Sequence, residues 1–179
     1  ESNTKMNLGE SLFYYGMRLW HFAYKTRKPQ ANLNELGTSA IKNIVLMSTT
    51  ALGDALLSTP AMRAMRKTYP QAKITLLLNP AYLPLFKNHA DIDDIIPYAG
   101  KTKNFIKTLC QLRKIRPDLI CILHANEPQA TPLAALSGAR FIFKIPNTSR
   151  FRFLLTNNQA EKRWDDFKHG MDQRLAVAK

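Results

Sequence analysis

Residues 43–69, NIVLMSTTALGDALLSTPAMRAMRKTY, carry the reading that decides the fold. Asn43–Ser48 is a short, β-favouring run with no polar residue alternating through it. A strand that is apolar on both faces belongs inside a sheet covered on both sides. Hydroxyl residues follow, then Gly53-Asp54, and over 54–69 Leu57, Ala61 and Met65 recur at helical spacing. Arg63, Arg66 and Lys67 lie off that face, as on a helix with one side buried. The stretch therefore reads as strand, tight turn and helix.

The same texture repeats downstream. Lys73–Leu78 (KITLLL) predicts a second strand, 81–89 a short helix, and 95–98 a third strand. Phe105, Leu109 and Leu112 fall at i, i+4 and i+7 on a helix that Pro117 stops. Residues 118–123 (DLICIL) predict a fourth strand and 128–136 a helix, with Gly138 suited to its C-cap. Residues 139–145 (ARFIFKI) predict a fifth strand. Apolar strands alternating with helices make an α/β domain: a Rossmann-like, doubly wound parallel sheet with helices on both faces. Its ligands are expected beyond the carboxyl ends of the strands.

Upstream, 7–28 reads as one amphipathic helix, with Leu8, Leu12, Phe13, Leu19, Trp20 and Phe22 on the apolar side. Lys25, Arg27 and Lys28 close it, where cations suit the helix dipole. Residues 29–39 are polar, with Pro, Asn and Gly, and read as a linker. The chain thus divides into an arm and linker over 1–40 and a domain over 41–179. Two readings of the arm stand side by side: an interfacial helix on anionic lipid, or a helix packed on its own domain or a partner.

The 179 residues are 45% hydrophobic and 22% charged, a globular composition that excludes a disordered or fibrous chain. No apolar run reaches the roughly 20 residues of a membrane-spanning helix. Gly16, Arg18 and His21 break the amino-terminal stretch, which does not read as a signal peptide. A cytoplasmic location follows as an expectation, peripheral on the inner face of the cytoplasmic membrane if the arm meets lipid. Lys and Arg number 26 against 13 Asp and Glu, a formal charge of +13. From position 101 onward 15 basic residues face 6 acidic ones, so the positive field sits mainly there. Such a balance suits anionic partners. Cys110 and Cys121 lie in apolar runs and read as small core residues in a reducing compartment. The histidines and cysteines show no metal-ligand spacing, so no metal is expected.

The chemistry-bearing residues gather at predicted strand ends. Ser48, Thr49, Thr50, Gly53 and Asp54 crowd one strand-to-helix turn. Amides and hydroxyls at a helix start can hold an anion, Gly53 admits close backbone approach, and Asp54 can act as a general base. Asp54 or a threonine can equally do no more than cap the helix. With one glycine and no Gly-Lys-Ser/Thr, the turn is neither a dinucleotide fingerprint nor a P-loop. The fourth strand ends in His124-Ala125-Asn126-Glu127, where His124 can bind a substrate oxygen or simply satisfy local hydrogen bonds. Arg140, Lys144, Arg150 and Arg152 alternate with Phe141, Phe143, Phe151 and Phe153. That pattern fits phosphate or nucleic-acid binding, or a solvated basic face over buried phenylalanines.

At this point the motifs taken together resemble a known family. IVLMSTTALGDALLSTPAMRAMRKTY, continued by Tyr69-Pro70-Gln71-Ala72-Lys73-Ile74-Thr75, is similar to the opening of the lipopolysaccharide heptosyltransferases, glycosyltransferase family 9. The Asp-Ile-Asp-Asp-Ile-Ile segment within 88–96, Leu123-His124-Ala125-Asn126, the stretch 133–140 and HGMDQRLAVA at 169–178 resemble further family segments, in the family's order. The resemblance implies a GT-B architecture of two Rossmann-like halves facing a cleft. This chain corresponds to the amino-terminal, acceptor-side half, without the carboxyl-terminal donor half and inactive alone.

It further implies a metal-independent, inverting transfer without a cofactor. The sugar passes from a nucleotide-sugar such as ADP-heptose to a lipid-linked lipopolysaccharide core acceptor. Asp54 takes the role of catalytic base, and Ser48, Thr49, Thr50, Gly53, His124 and Asn126 fall on the acceptor side. Nucleic acid is not an expected partner under this reading. A basic nucleic-acid-binding module and a non-catalytic membrane-associated adaptor are the alternatives; both leave the Thr-Ala-Leu-Gly-Asp turn without a purpose. Ile122 stands where many family members have Asp, and Glu127 and Pro128 also depart from the pattern. These departures leave room for an acceptor other than the inner-core Kdo. The amino-terminal arm is an addition to the family pattern.

Overall fold

A computed structural model describes residues 8–27, 35–36, 40–100, 104–125, 128–158 and 162–178. Helix α1 (Leu8–Arg27) precedes strand β1 (Asn43–Ser48), helices α2 (Leu52–Leu57) and α3 (Thr59–Thr68), and strand β2 (Lys73–Leu78). Helix α4 (Leu83–Phe86), β3 (Asp94–Pro97), α5 (Phe105–Ile115) and β4 (Leu119–His124) follow. Helix α6 (Ala130–Leu136), β5 (Phe141–Lys144) and α7 (Gly170–Ala178) complete the order.

The five strands form one sheet in the order β3-β2-β1-β4-β5, with every pair parallel. This is the doubly wound α/β sheet expected from the alternation of elements. Strand order reverses between β1 and β4, and in such sheets the crevice at that reversal is where ligands sit. Asp118 ties this central pair at its start, accepting from Lys42 N and Asn43 N at 2.9 Å each. At its other end the register slips: Met47 faces Ile122 but Ser48 faces His124, leaving Leu123 as the extra residue. Such a bulge re-aims the side chains beside it.

Alternate residues of each strand serve two cores. Val45, Met47, Ile120, Ile122 and Ile142 pack with α5, α6 and Met17 of α1 on one face. Ile44, Leu46, Leu76, Cys121 and Phe141 pack with Met62 and Met65 of α3 and Val177 of α7 on the other. Dense two-sided burial explains why the strands read as continuous apolar runs.

Three expectations change in detail. The helix expected over 54–69 is two helices meeting at Ser58. Pro60 has no N–H for Leu56 O, which accepts from Thr59 Oγ1 at 2.8 Å; Ser58 N turns to Ala55 O, and Ser58 Oγ donates to Asp54 O at 2.7 Å. The helix expected over 81–89 shrinks to a 3₁₀ turn and α4, with prolines at 80 and 84. Cys110 is exposed on α5 while Cys121 is buried, so only the second is a core residue. The periodicity of α5 runs through Phe105, Leu109 and Leu112, and position 110 falls off that face.

Helix α1 does not stand apart from the domain. Tyr14, Met17 and Trp20 pack on the core, and Tyr14 meets Phe151 and Phe153 edge-on at 5.8 and 6.0 Å between ring centres. No described helix is long and apolar enough to cross a membrane.

Candidate functional site

The reversal point brings three elements together. The turn after β1 supplies Thr50 and Asp54, the end of β4 supplies His124, and the buried side of α7 supplies Arg174. Asp54 sits in the first turn of α2, where the positive end of the helix favours a negative side chain. Its Oδ2 accepts from Ala51 N at 3.3 Å, so the carboxylate caps its own helix. It does more than cap. Thr50 Oγ1 donates to the same oxygen at 2.8 Å, and His124 Nδ1 lies 3.3 Å from it. Arg174 Nη2 donates to Oδ1 at 2.9 Å. The Asp54 side chain remains 25% exposed, whereas that of Arg174 is 3% exposed. A buried cation thus clamps one carboxylate oxygen from behind while the group still opens to solvent.

Thr50 and His124 are also in direct hydrogen-bond contact through Oγ1 and Nδ1. Since Thr50 gives its only proton to Asp54, its oxygen accepts from the ring, which places the imidazole proton on Nδ1. Burial pushes the His124 pKa below its ordinary range; Asp54 opposes this, and the Arg174 and Lys144 cations reinforce it. The ring is therefore neutral near pH 7. Burial likewise lowers Arg174, with Asp54 holding it up in part; a guanidinium so placed is still a cation.

Helix α7 is held where it can do this. Gln173 Nε2 donates to Ile145 O, and Arg174 Nη1 donates to Gly170 O at 2.7 Å. A Cβ at position 170 would stand 2.8 Å from Arg174 Nη1, so glycine there leaves the guanidinium its place. Beside His124 a cavity of about 260 Å³ opens between β4, β5 and α7, lined by Lys144, Pro146, Thr148, Ser149 and Gln173. Ser149 Oγ and Gln173 Oε1 in its lining are buried with no hydrogen-bond partner among the described residues, as are Thr49 Oγ1, Thr75 Oγ1, Tyr98 OH and Arg174 Nε elsewhere. Unsatisfied buried polar atoms are rare in a core, and the two in the cavity lining are free to meet a ligand's polar groups.

Of the residues singled out from sequence, Asp54, Thr50 and His124 converge. Ser48 does not: its Oγ lies 3.4 Å from Ser58 Oγ, turned into the protein. Thr49 is buried and faces Gly100, whose Cβ position is 3.6 Å from its Oγ1. Gly53 is exposed on α2, and a Cβ there would meet nothing within 4 Å, so no close approach in this structure requires glycine. Asn126 lies outside the described residues. Arg174 was not singled out; the 169–178 motif contains it, but it stands 120 residues from Asp54 and nothing local marks it as a site residue. In the Arg/Phe cluster, Phe141, Phe143 and Phe151 are buried and Arg140 pairs with Glu35 at 2.8 Å. Those phenylalanines are therefore not open stacking platforms of the kind single-stranded nucleic acid uses.

Comparison with solved structures returns several similar folds. Escherichia coli ADP-heptose lipopolysaccharide heptosyltransferase II matches with a TM-score of 0.63 at 19% identity, over 76% of this chain and 40% of that one. The glycosyl transferase family 9 protein of Veillonella parvula matches at 0.60 and 25% identity, over 76% and 40%. Escherichia coli heptosyltransferase WaaC with ADP matches at 0.58 and 13% identity, over 76% and 45%. This chain thus spans less than half the length of each. No family model and no curated protein matches the sequence significantly. The solved structures that share this fold include members of the family whose motifs the sequence resembles.

Proposed function

We propose that this chain is the acceptor-side half of a GT-B glycosyltransferase that moves a sugar from a nucleotide-sugar donor, such as ADP-heptose, to a lipopolysaccharide core acceptor. The observation that carries the reading is the Asp54 carboxylate, partly open at the strand-order reversal and held by Arg174, Thr50 and His124. Fixed orientation is what a general base needs, because proton transfer demands hydrogen-bond reach in a single geometry.

In the proposed step an acceptor hydroxyl donates to Asp54 Oδ1, the oxygen that Arg174 alone contacts among the described residues. The hydroxyl oxygen forms its bond to the anomeric carbon as the nucleoside diphosphate departs from the opposite face. Its proton passes to the carboxylate. Configuration at the sugar inverts, and no metal takes part. Neutral His124 with its proton on Nδ1 orients Asp54 without competing for the substrate proton. A second α/β half holds the donor, as the lengths of the similar structures suggest.

In the complete two-domain protein Asp54→Asn keeps the fold, because the amide is isosteric. Transfer falls by about 10²–10⁴-fold, the usual worth of a positioned base. Turnover at the wild-type rate with an unchanged circular dichroism spectrum overturns the assignment.

A further inference from the structure

Helix α1 has two apolar faces, and the domain covers only one. Leu8, Leu12, Tyr15, Leu19 and Phe22 are 78, 67, 64, 71 and 71% exposed. Their spacing of four, three, four and three residues lays them in one straight stripe along the roughly 30 Å of a 20-residue helix. Tyr14, Met17 and Trp20, which hold the helix to the domain, lie on the other side. Contiguous exposed apolar surface of this kind marks a docking face.

We infer that this stripe docks the protein on an anionic lipid surface. The charges flanking it choose between a bilayer and a second copy of the chain. A stripe at heptad spacing can pair with another helix when opposite charges border the seam. Here one border has Ser11 and Arg18, whose guanidinium also lies 5.8 Å from the Phe153 ring centre, and the other Gly9, Gly16 and Ala23. Two copies would place cations against cations or against uncharged residues, with no acid to answer them. The one acidic residue of the helix is Glu10, against Arg18, Lys25 and Arg27. Leu, Tyr and Phe side chains at the headgroup boundary with cations beside them suit anionic lipid, and the excess charge of +13 adds a field of the same sense. The face of α1 toward the domain meets Phe151, in the segment that follows β5.

The test is sedimentation of the purified chain with vesicles of phosphatidylglycerol and phosphatidylethanolamine, against phosphatidylcholine alone. Wild-type protein is expected to bind the anionic vesicles at least tenfold more tightly than the neutral ones, with binding weakened by salt. The Leu12→Glu/Leu19→Glu variant changes only exposed positions and is expected to lose at least tenfold in binding at unchanged Tm. Asp54→Asn is expected to bind like wild type, so the result stands apart from the proposed chemistry. Equal binding by the double variant overturns the inference. So does a lipid-independent dimer in sedimentation velocity that the double variant abolishes, since the stripe would then belong to a second copy.

Discussion

At the scale of single residues, Asp54 and Arg174 define what can be tested. Arg174 is the buried partner, and its removal takes the donor from Asp54 Oδ1 and from Gly170 O. Arg174→Ala is expected to lower stability by about 2 kcal/mol by urea denaturation, below the range for fully buried pairs because Asp54 is partly exposed. Gly170→Ala is a milder probe of the same contact. It crowds Nη1 while leaving the charge, so transfer should fall more than stability does. His124 sets a pH dependence. Its folded pKa lies below the unfolded value, so the unfolded state takes up the proton first as pH falls. The stability the neutral ring contributes is fully present above about pH 6.5 and is lost as pH drops below that value. A Tm series from pH 8 to 5 should therefore slope downward on the acid side, and His124→Gln should flatten it. Asp54 was legible as a candidate because hydroxyls, Gly53 and a carboxylate gather at one predicted strand end, although capping the helix is an equally good use for it and the role of base is implied only by the family resemblance. Arg174 was not legible, because its meaning depends on a contact made only after the sheet is wound.

At the scale of elements, the strands were readable because each is apolar throughout, and two-sided burial demands that composition. Their order was not readable, since nothing in β4 says that it pairs with β1 and not with β3. The break at Ser58 was missed for a different reason. Apolar spacing continues across it, and only the missing N–H of Pro60 interrupts the ladder. The sheet edge offers a further check. Asp93 accepts from Ile74 N and from Arg66 Nη2 at 2.6 Å each, joining α3 to β2. Burial pushes this carboxyl up, but the Ile74 and Arg66 hydrogen bonds outweigh it and the net pKa is lowered. Asp93→Asn is expected to cost about 1 kcal/mol near neutral pH, as for a partly exposed charge-assisted pair. The difference should vanish as acid protonates the wild-type carboxyl, and urea midpoints at pH 7 and pH 3 would show both.

At the scale of the whole molecule, α1 is a structural component as well as a surface. Met17 is 4% exposed within the core. Deleting residues 1–40 should therefore cost about 3 kcal/mol and lower Tm by roughly 6–12 °C, measured by thermal unfolding. The amphipathic character of the arm was legible, but which apolar residues face inward was not: Tyr14, Met17 and Trp20 turn to the domain, while Leu8, Leu12, Leu19 and Phe22 turn away. Both faces carry hydrophobic residues, so only the matching surface around Phe151 and Phe153 decides the rotation. The unequal fates of the two thiols have a practical consequence. Burial raises Cys121 to about 12, which leaves almost no thiolate to react, while Cys110 stands in solvent on α5. A maleimide dye would attach at one place in the native protein, on the same side of the sheet as the arm, giving an optical reporter without any engineered cysteine.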